Sequence, residues 1–337
     1  MNLDNHIFDF DTFDRASGLG GTDAAAIMGL HPYKTALDVY LNKHGEGAPF
    51  KMNDAVMMGN KLEPIVADLY YERRGLASDA RGLKMYTPGT IRHPDHPWAY
   101  GSPDRILFDQ KEGRWFWGLE VKTTGIRSEH RWGETESNKY PPEHLLQCVW
   151  YMWITRAMCK LQGFDPIQHW DLCVLITGQE FRHYRIHHDQ EIEDQVVETA
   201  REFWHDSIKG NSPPDPVSRD SSNLVRLWPK DEGYMLEANE DQQALIRQYQ
   251  DIDGQIKELE TQRDEVKTAI KCIIGDATGI EADWFSITWK ARKQSKRTDY
   301  KGLIKAINPA LELIDQYTKL NAAQRPFLAK FKGADSE

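Results

Sequence analysis

The chain has 337 residues, of which 40% are hydrophobic and 28% are charged, as is typical of a globular protein with one or two domains. The net charge of −10 excludes a protein that is basic over its whole surface, so any nucleic-acid contact would need a local groove on an acidic body. No apolar run could cross a bilayer and no signal peptide is recognisable, so we expect a cytoplasmic protein without membrane contact. The four cysteines form no CxxC pair and are expected to be reduced core residues.

A glycine-rich turn and three helices are predicted before residue 75. Residues 18–21 supply the turn, and Thr22 or Asp23 is expected to cap the short helix that follows. Two further helices are expected at residues 37–43 and 53–74. The second of these contains Pro64, which predicts either a kink or a helix start near Glu63.

The middle of the chain alternates between short strands and helices. Residues 83–121 are broken by Pro and Gly and predict a meander of strands, with a hairpin turn at residues 111–113. A helix is expected at 142–160, strands at 172–176 and 181–186, and an acidic amphipathic helix at 189–209.

A segment rich in Pro, Ser and Asp at residues 211–220 is predicted to be a linker, which divides the chain into residues 1–220 and 221–337. The second part contains a long helix or helical hairpin at about 236–274, a strand at 280–290 and a helix at 299–317. The long helix could serve oligomerisation, partner docking or internal packing. A basic aromatic cluster could contact phosphates or be a solvated face; it comprises Trp284, Trp289, Lys290, Arg292, Lys293, Lys296 and Arg297.

Three residues in the strand region predict hydrolytic chemistry. Ser102-Pro103-Asp104 is followed, after fifteen residues, by Glu120-Val121-Lys122. Glu120 and Lys122 share one face of a strand because alternate side chains do, and Asp104 on the preceding hairpin arm can close on that face. Two carboxylates can hold Mg²⁺, and two such ions would lie about 3.5–4 Å apart if both sites fill. A solvated Glu/Lys pair beside a turn Asp is the alternative.

Five segments occur in this order along the chain: Arg15-Ala-Ser-Gly-Leu-Gly-Gly-Thr22-Asp-Ala, Gly59-Asn-Lys-Leu-Glu63-Pro, Ser102-Pro-Asp104, Gly118-Leu-Glu120-Val-Lys122 and Gln147-Cys-Val-Trp-Tyr-Met152-Trp-Ile-Thr-Arg156. Together they resemble the YqaJ-like viral recombinase nucleases, which are relatives of phage lambda exonuclease in the PD-(D/E)XK superfamily. The resemblance covers about residues 15–210 and implies an α/β core of restriction-endonuclease type, with a central mixed sheet flanked by helices and a helical C-terminal extension. His144 departs from the family, which often has an aromatic residue there.

The resemblance also implies roles for the matching residues. Asp104, Glu120 and the Val121 carbonyl would bind the metal, Lys122 would act on the attacking water, and Glu63 would reach the water that the metal holds. Each assignment has an alternative in ordinary structure. For Glu63, the alternative is a carboxylate that interacts favourably with the dipole of the first helical turn.

Outside the metal site, Gln147 would position Lys122 or the substrate, and its alternative is a half-exposed helix residue. Arg15 and Thr22 would bind the 5′-phosphate of the end being degraded. A cation beside a glycine-rich turn and a helix N-terminus suits an anion. An ordinary surface ion pair is the alternative for Arg15.

The sequence therefore predicts an enzyme that hydrolyses DNA phosphodiesters with Mg²⁺, for which Mn²⁺ could substitute. The resemblance implies 5′→3′ digestion of duplex DNA ends, which leaves 3′ single strands. It also implies a single-strand annealing recombinase as partner and a ring-shaped homo-oligomer in a phage or prophage setting within a bacterial cell. The alternatives are another PD-(D/E)XK nuclease, linked to repair or CRISPR adaptation, or an inactive DNA-binding or assembly module.

Overall fold

The structure is a computed structural model that describes residues 7–9, 12–291, 299–300, 304, 307, 309 and 311–317. By its internal contacts the chain divides into two compact units, Met1–Pro229 and Lys230–Glu337. Along the described ranges, no helix combines the length and the apolar character needed to span a membrane.

The described residues of the first unit form α-helices and β-strands, of which the first strands are short and the last element is a helix. Its helices are α1 (Gly21–Ile27), α2 (Ala36–Lys43), α3 (Asp54–Arg73), α4 (Pro142–Leu161), α5 (Gln190–Glu202), which continues as a π-helix over Phe203–Lys209, and α6 (Ser221–Leu227). Its strands are β1 (Ile7–Phe8), β2 (Lys84–Tyr86), β3 (Thr90–Arg92), β4 (Tyr100–Gly101), β5 (Arg105–Asp109), β6 (Arg114–Thr124), β7 (His169–Ile176) and β8 (Glu180–His187). The second unit contains α7 (Glu240–Ile274), β9 (Gly279–Ala282), β10 (Phe285–Thr288) and α8 (Leu311–Tyr317).

The main sheet of the described first unit has five strands in the order β2-β5-β6-β7-β8. β6 and β7 pair in parallel, which the intervening α4 allows by returning the chain to the same end of the sheet. The other three pairs are antiparallel. A second sheet joins β1, β3 and β4. These pairings confirm the expected α/β fold with a central mixed sheet.

Helices cover both faces of the main sheet. Leu119 and Val121 of β6 lie in a buried cluster with Tyr70 of α3. On the opposite face, Leu172 of β7 lies in a second buried cluster with Trp150 of α4. Because side chains alternate along a strand, the residues of β6 between these apolar positions face the α4 side. This arrangement fixes the orientation of Glu120 and Lys122.

The start of α1 differs from the expectation that Thr22 or Asp23 caps it. Gly20 is the N-cap, in extended backbone conformation, and Thr22 is the second residue of the helix. The Asp23 carboxylate accepts the Gly20 N–H at 3.0 Å. Asp23 therefore contributes to the cap from inside the first turn, and the predicted position of the cap was wrong because a capping box can be closed from its third residue.

Residues 211–220 do not form the predicted linker but fold back on α2 within the first unit. Asp220 is 1% exposed and accepts a hydrogen bond from the Thr35 hydroxyl at 2.5 Å. Asn223 of α6 donates to Asp38 at 2.9 Å. The composition of the segment suits a polar turn as well as a linker, so it could not reveal these contacts with residues about 185 positions earlier.

In the second unit, the structure selects one of two predicted alternatives in one place and differs from the prediction in another. The long helix is one helix of 35 residues, whereas the predicted strand at 280–290 is a hairpin of β9 and β10. Polar and apolar residues continue to alternate through the tight turn at Asp283 and Trp284. The two-residue period of the sequence therefore did not reveal the turn. Cys148, Cys159 and Cys173 are buried as expected, but Cys272 on α7 is exposed. Four members of the basic aromatic cluster lie outside the described residues: Arg292, Lys293, Lys296 and Arg297.

Gly118 of β6 is predicted to be essential for close packing. A Cβ atom there would lie 2.1 Å from the ring of Trp170, which is fully buried on the neighbouring strand. Gly118→Ala should therefore lower the free energy of unfolding by about 1–3 kcal/mol, as overpacking does. Urea unfolding of the full chain measures this effect. Gly125→Ala is the control because no atom lies within 4 Å of its Cβ position; an equal loss for both variants would contradict the packing argument.

Candidate active site

The hairpin of β5 and β6 brings Asp104, Glu120 and Lys122 together. Arg105 pairs with Leu119 in the register of the two strands, so Asp104 lies opposite the next residue, Glu120. One Asp104 carboxylate oxygen accepts the Val121 N–H at 2.7 Å. The Lys122 ammonium donates a hydrogen bond to Glu120 Oε1. The three groups thus lie on the same side of the sheet.

Burial makes this cluster electrostatically costly. Desolvation raises the pKa of Asp104 well above its ordinary value, and the charges of Glu120 and Glu63 raise it further. Desolvation also raises the pKa of Glu120, although Lys122 opposes this effect. For Lys122, burial alone would lower the pKa, but Glu120 and Asp104 outweigh it and raise the pKa. Lys122 is therefore an ammonium group, which can donate hydrogen bonds to water or phosphate.

The residues at the hairpin fit a divalent cation. Glu120 is 1% exposed, and its Oε2 is buried without a hydrogen-bond partner among the described residues. An unpaired buried carboxylate oxygen beside a second carboxylate is a poor arrangement for the protein alone but suits a hard cation with oxygen ligands. No three His, Cys, Asp or Glu side chains of the described part of the chain converge on one metal position. Backbone oxygen and water would therefore have to complete the coordination, as is usual for Mg²⁺.

Glu63 lies at the edge of the site on α3. The helix begins at Asp54, so Glu63 is in its interior, and neither the helix start near Glu63 nor the first-turn role is found. Its Oε1 forms an ion pair with Arg105 Nη1 at 2.8 Å. The same Arg105 nitrogen donates to the Asp104 carbonyl at 2.5 Å. Arg105 thus links Glu63 to the backbone that carries Asp104.

Gln147 of α4 is buried rather than half-exposed, and its amide donates to the Tyr151 hydroxyl at 3.0 Å. It lines a cavity of about 400 Å³ that also reaches Ser102, two residues before Asp104. Arg15 and Thr22 both line this cavity and are exposed. The remaining lining residues are Ala16, Gly20, Gly21, Asp23, Lys34, Asn42, Lys43, Tyr100 and Tyr151.

Asp23 organises two lysines of the cavity that sequence analysis did not identify. Its carboxylate forms ion pairs with Lys34 at 2.6 Å and with Lys43 at 2.8 Å. Burial would raise the pKa of Asp23, but the two ammonium groups outweigh it and lower the pKa. Lys43 also donates to the Arg15 carbonyl at 2.8 Å. The lining of the cavity thus contains the Asp23 carboxylate and three cationic side chains, Arg15, Lys34 and Lys43.

These lysines carry no local sequence signal. Lys34 precedes α2 and Lys43 ends it, so only the packing of α1 against α2 brings both to Asp23. Gly21 shows how tightly this corner is packed, because a Cβ atom there would lie 3.0 Å from Tyr151 and 3.1 Å from Gln147. A side chain at position 21 would therefore crowd these two side chains of α4.

Residues 13–158 match the sequence profile of the YqaJ-like viral recombinase domain. Over this segment, which is less than half of its length, the chain is similar to that domain. It contains Arg15 and Thr22, Glu63, the Asp104–Lys122 hairpin and Gln147. The profile thus spans both the acidic cluster and the cationic cavity.

Proteins similar to this chain include an uncharacterised protein named YqaJ from Bacillus subtilis (strain 168). It is 28% identical over 294 residues, which cover 86% of this chain and 85% of that protein. The uncharacterised protein R354 of Acanthamoeba polyphaga mimivirus is 26% identical over 165 residues, covering 45% of this chain and 28% of that protein.

Among solved structures, the alkaline exonuclease LHK-Exo from Laribacter hongkongensis matches 59% of this chain and 91% of its own, with 15% identity and a TM-score of 0.40. LHK-Exo in complex with dAMP matches 63% of this chain and 94% of its own, with 16% identity and a TM-score of 0.42.

The Asp23 ion-pair network is predicted to stabilise the YqaJ-like domain. Asp23→Asn leaves two largely buried ammonium groups without their counter-charge, so the free energy of unfolding should fall by about 3–5 kcal/mol at neutral pH. Because the pKa of Asp23 is lowered on folding, this stabilisation is present above about pH 4 and is lost as the pH falls further. Urea unfolding at several pH values measures both effects.

The matched control is Asp79→Asn, which removes an exposed carboxylate paired with Arg81. Its effect on unfolding should be small because exposed ion pairs contribute little. If Asp23→Asn were no more destabilising than this control, the lysines would not depend on Asp23.

Proposed function

We propose that the chain is a Mg²⁺-dependent 5′→3′ exonuclease of duplex DNA that leaves 3′ single-stranded overhangs. The observation that carries this proposal is the pair of carboxylates at the β5–β6 hairpin, one of which keeps a buried oxygen unpaired beside Lys122. A purely structural role would be better served by a fully paired or apolar cluster.

Asp104, Glu120 and the Val121 carbonyl are the groups that would hold the metal. Bound there, Mg²⁺ or Mn²⁺ would offset phosphate charge and make water a better nucleophile. The Lys122 ammonium would donate to the attacking water or a phosphate oxygen and hold it in line. Glu63, once released from Arg105, would accept a hydrogen bond from that water.

The cavity beside this hairpin supports the choice of DNA end. Arg15, Thr22, Lys34 and Lys43 would bind a terminal 5′-phosphate, since cations and a hydroxyl suit its charge and its acceptor oxygens. Gln147 would hold the first nucleotide on the side of Ser102 and Asp104. A phosphate anchored there would present the adjacent phosphodiester to Asp104, so the strand would be removed from its 5′ end.

We also propose a protein partner and an oligomeric assembly for this enzyme. An exposed 3′ strand is the substrate of a single-strand annealing recombinase, so we expect such a partner inside a bacterial cell that carries a phage or prophage. A ring-shaped homo-oligomer with its positive groups inward would combine an acidic exterior with DNA binding.

Linear duplex DNA should be degraded only when Mg²⁺ or Mn²⁺ is present. Lys122→Ala should lower the rate about 100-fold or more, as loss of one hydrogen-bond donor to the transition state does. Asp104→Asn can still accept the Val121 N–H, so it should fold but lose the rise in melting temperature that Mg²⁺ causes in the wild type. Timed digestion and thermal unfolding with and without Mg²⁺ measure these effects.

Lys111→Ala serves as control because it removes an exposed lysine of the hairpin turn. It should keep full activity. Intact ends after wild-type digestion, or full activity of Lys122→Ala, would refute the nuclease proposal.

The choice of end is tested with 5′-phosphorylated, 5′-hydroxyl and covalently closed circular duplexes. Wild type should prefer the 5′-phosphorylated ends and leave the circles intact. Arg15→Ala should lose roughly tenfold or more of this preference, as removal of a charge-assisted contact costs about 1.5–3 kcal/mol. Arg201→Ala, which removes an exposed arginine of α5 paired with Glu198, should keep the preference. Equal rates on both linear ends would contradict the phosphate cavity but not the nuclease itself.

A further inference from the structure

The α7 helix has a strict seven-residue repeat. Leu, Ile, Leu, Val and Ile occur at intervals of seven from residue 245 to residue 273, and a second row occupies residues 249, 256, 263 and 270. The two rows alternate by three and four residues, which places them along one seam of the helix. A repeat of seven rather than of a longer period predicts pairing with another helix in a left-handed supercoil. Gly254 lies on the opposite side from the seam.

The apolar seam of α7 is exposed to solvent in the described structure. Leu245 is 65% exposed, Leu259 63%, Val266 60% and Ile273 71%. The helix has 35 residues and is thus roughly 50 Å long at about 1.5 Å per residue. An apolar surface of this length and regularity marks an interface.

The polar residue within the seam indicates the direction of the partner. Arg263 occupies a core position of the second row. In a parallel pair of identical helices, two Arg263 side chains would meet in the same core layer, which places like charges together. In an antiparallel pair centred near residue 261, Arg263 lies instead against Leu259 of the other copy. Arg263 therefore favours antiparallel pairing, and the two Glu260 carboxylates that this register brings beside the two-fold axis can each keep the ion pair with Arg263 of the same chain, at 3.7 Å.

The charged residues beside the seam fit the same register. With the centre near residue 261, Asp253 of one copy lies opposite Lys267 of the other, and the two-fold axis creates this pair twice. Within one chain these two residues are bonded elsewhere, Asp253 to Lys257 at 2.7 Å and Lys267 to Asp264 at 3.6 Å. Both are exposed pairs that can rearrange. In a parallel pair, Asp253 would face Gln248, which offers no charge.

We propose that α7 is a self-association surface, and that it pairs with α7 of a second copy of this chain as an antiparallel coiled coil centred near residue 261. The proposal does not depend on the nuclease function. It adds a helical contact in the second unit to any contact that the YqaJ-like domain makes.

A cross-linking experiment tests the register in the full chain. Cys272 is the exposed native cysteine and is first replaced by Cys272→Ser. In this background, Glu260→Cys places two thiols beside the two-fold axis, whereas Thr261→Cys at the same height points away from the partner. A short bismaleimide should therefore join two chains through position 260 and not through position 261, as read on a denaturing gel.

Absence of the cross-link at position 260 would overturn the proposal, because a seam covered by the chain's own C-terminal residues, or a parallel pair, keeps these thiols apart. Equal cross-linking at both positions would also overturn it, since it would indicate random collision. Neither outcome would affect DNA digestion, so a failure here is distinguishable from a failure of the proposed function.

A charge exchange then tests the pairing of Asp253 with Lys267. Asp253→Lys alone and Lys267→Asp alone should each require about tenfold more protein for half-maximal cross-linking at position 260, since two attractive pairs become repulsive. The double variant should restore the wild-type value. The two positions are fourteen residues, or roughly 21 Å, apart on one helix, so only a second chain can produce the rescue. A double variant that is as weak as either single variant would refute the register.

Discussion

The site depends on keeping the Glu120 carboxylate ionisable inside the protein. A buried acid without full hydrogen bonding is expensive, and a second acid beside it adds repulsion. The cost is tolerated because β6 is an eleven-residue strand paired on both sides and packed between two apolar clusters. The fold thus fixes the three ionisable groups by their backbone positions.

Local pattern predicted the parts of this arrangement that lie on one hairpin. The two-residue period of a strand is sufficient to place Glu120 and Lys122 on one face, and the hairpin returns Asp104 to that face. Most helices and strands of the first unit were predictable for the same reason, since apolar period and turn residues are local properties, whereas β1 and α6 were not predicted. The α1 cap and the β9–β10 turn were wrong because they depend on a single backbone angle or side-chain contact rather than on a period.

The cavity could be predicted only in part. Arg15 and Thr22 lie in a recognisable segment, but Lys34 and Lys43 reach the cavity through the packing of two helices. The contact of Asp220 with Thr35 could not be predicted for the same reason, because composition does not indicate a partner about 185 residues away. Sequence patterns therefore predicted the candidate residues on one hairpin. They did not predict the cavity side chains that the packing of helices brings close to it.

The chain has a net charge of −10, yet three cationic side chains line one cavity, and the Asp23 network explains how two of them are held there. Without a carboxylate between them, the cationic side chains of Arg15, Lys34 and Lys43 would repel one another, and the two lysines would extend into water. The buried Asp23 carboxylate holds two of the ammonium groups at 2.6 and 2.8 Å. The acidic remainder of the surface then disfavours contact with DNA elsewhere. The charge distribution, rather than the total charge, makes this chain compatible with a nucleic-acid substrate.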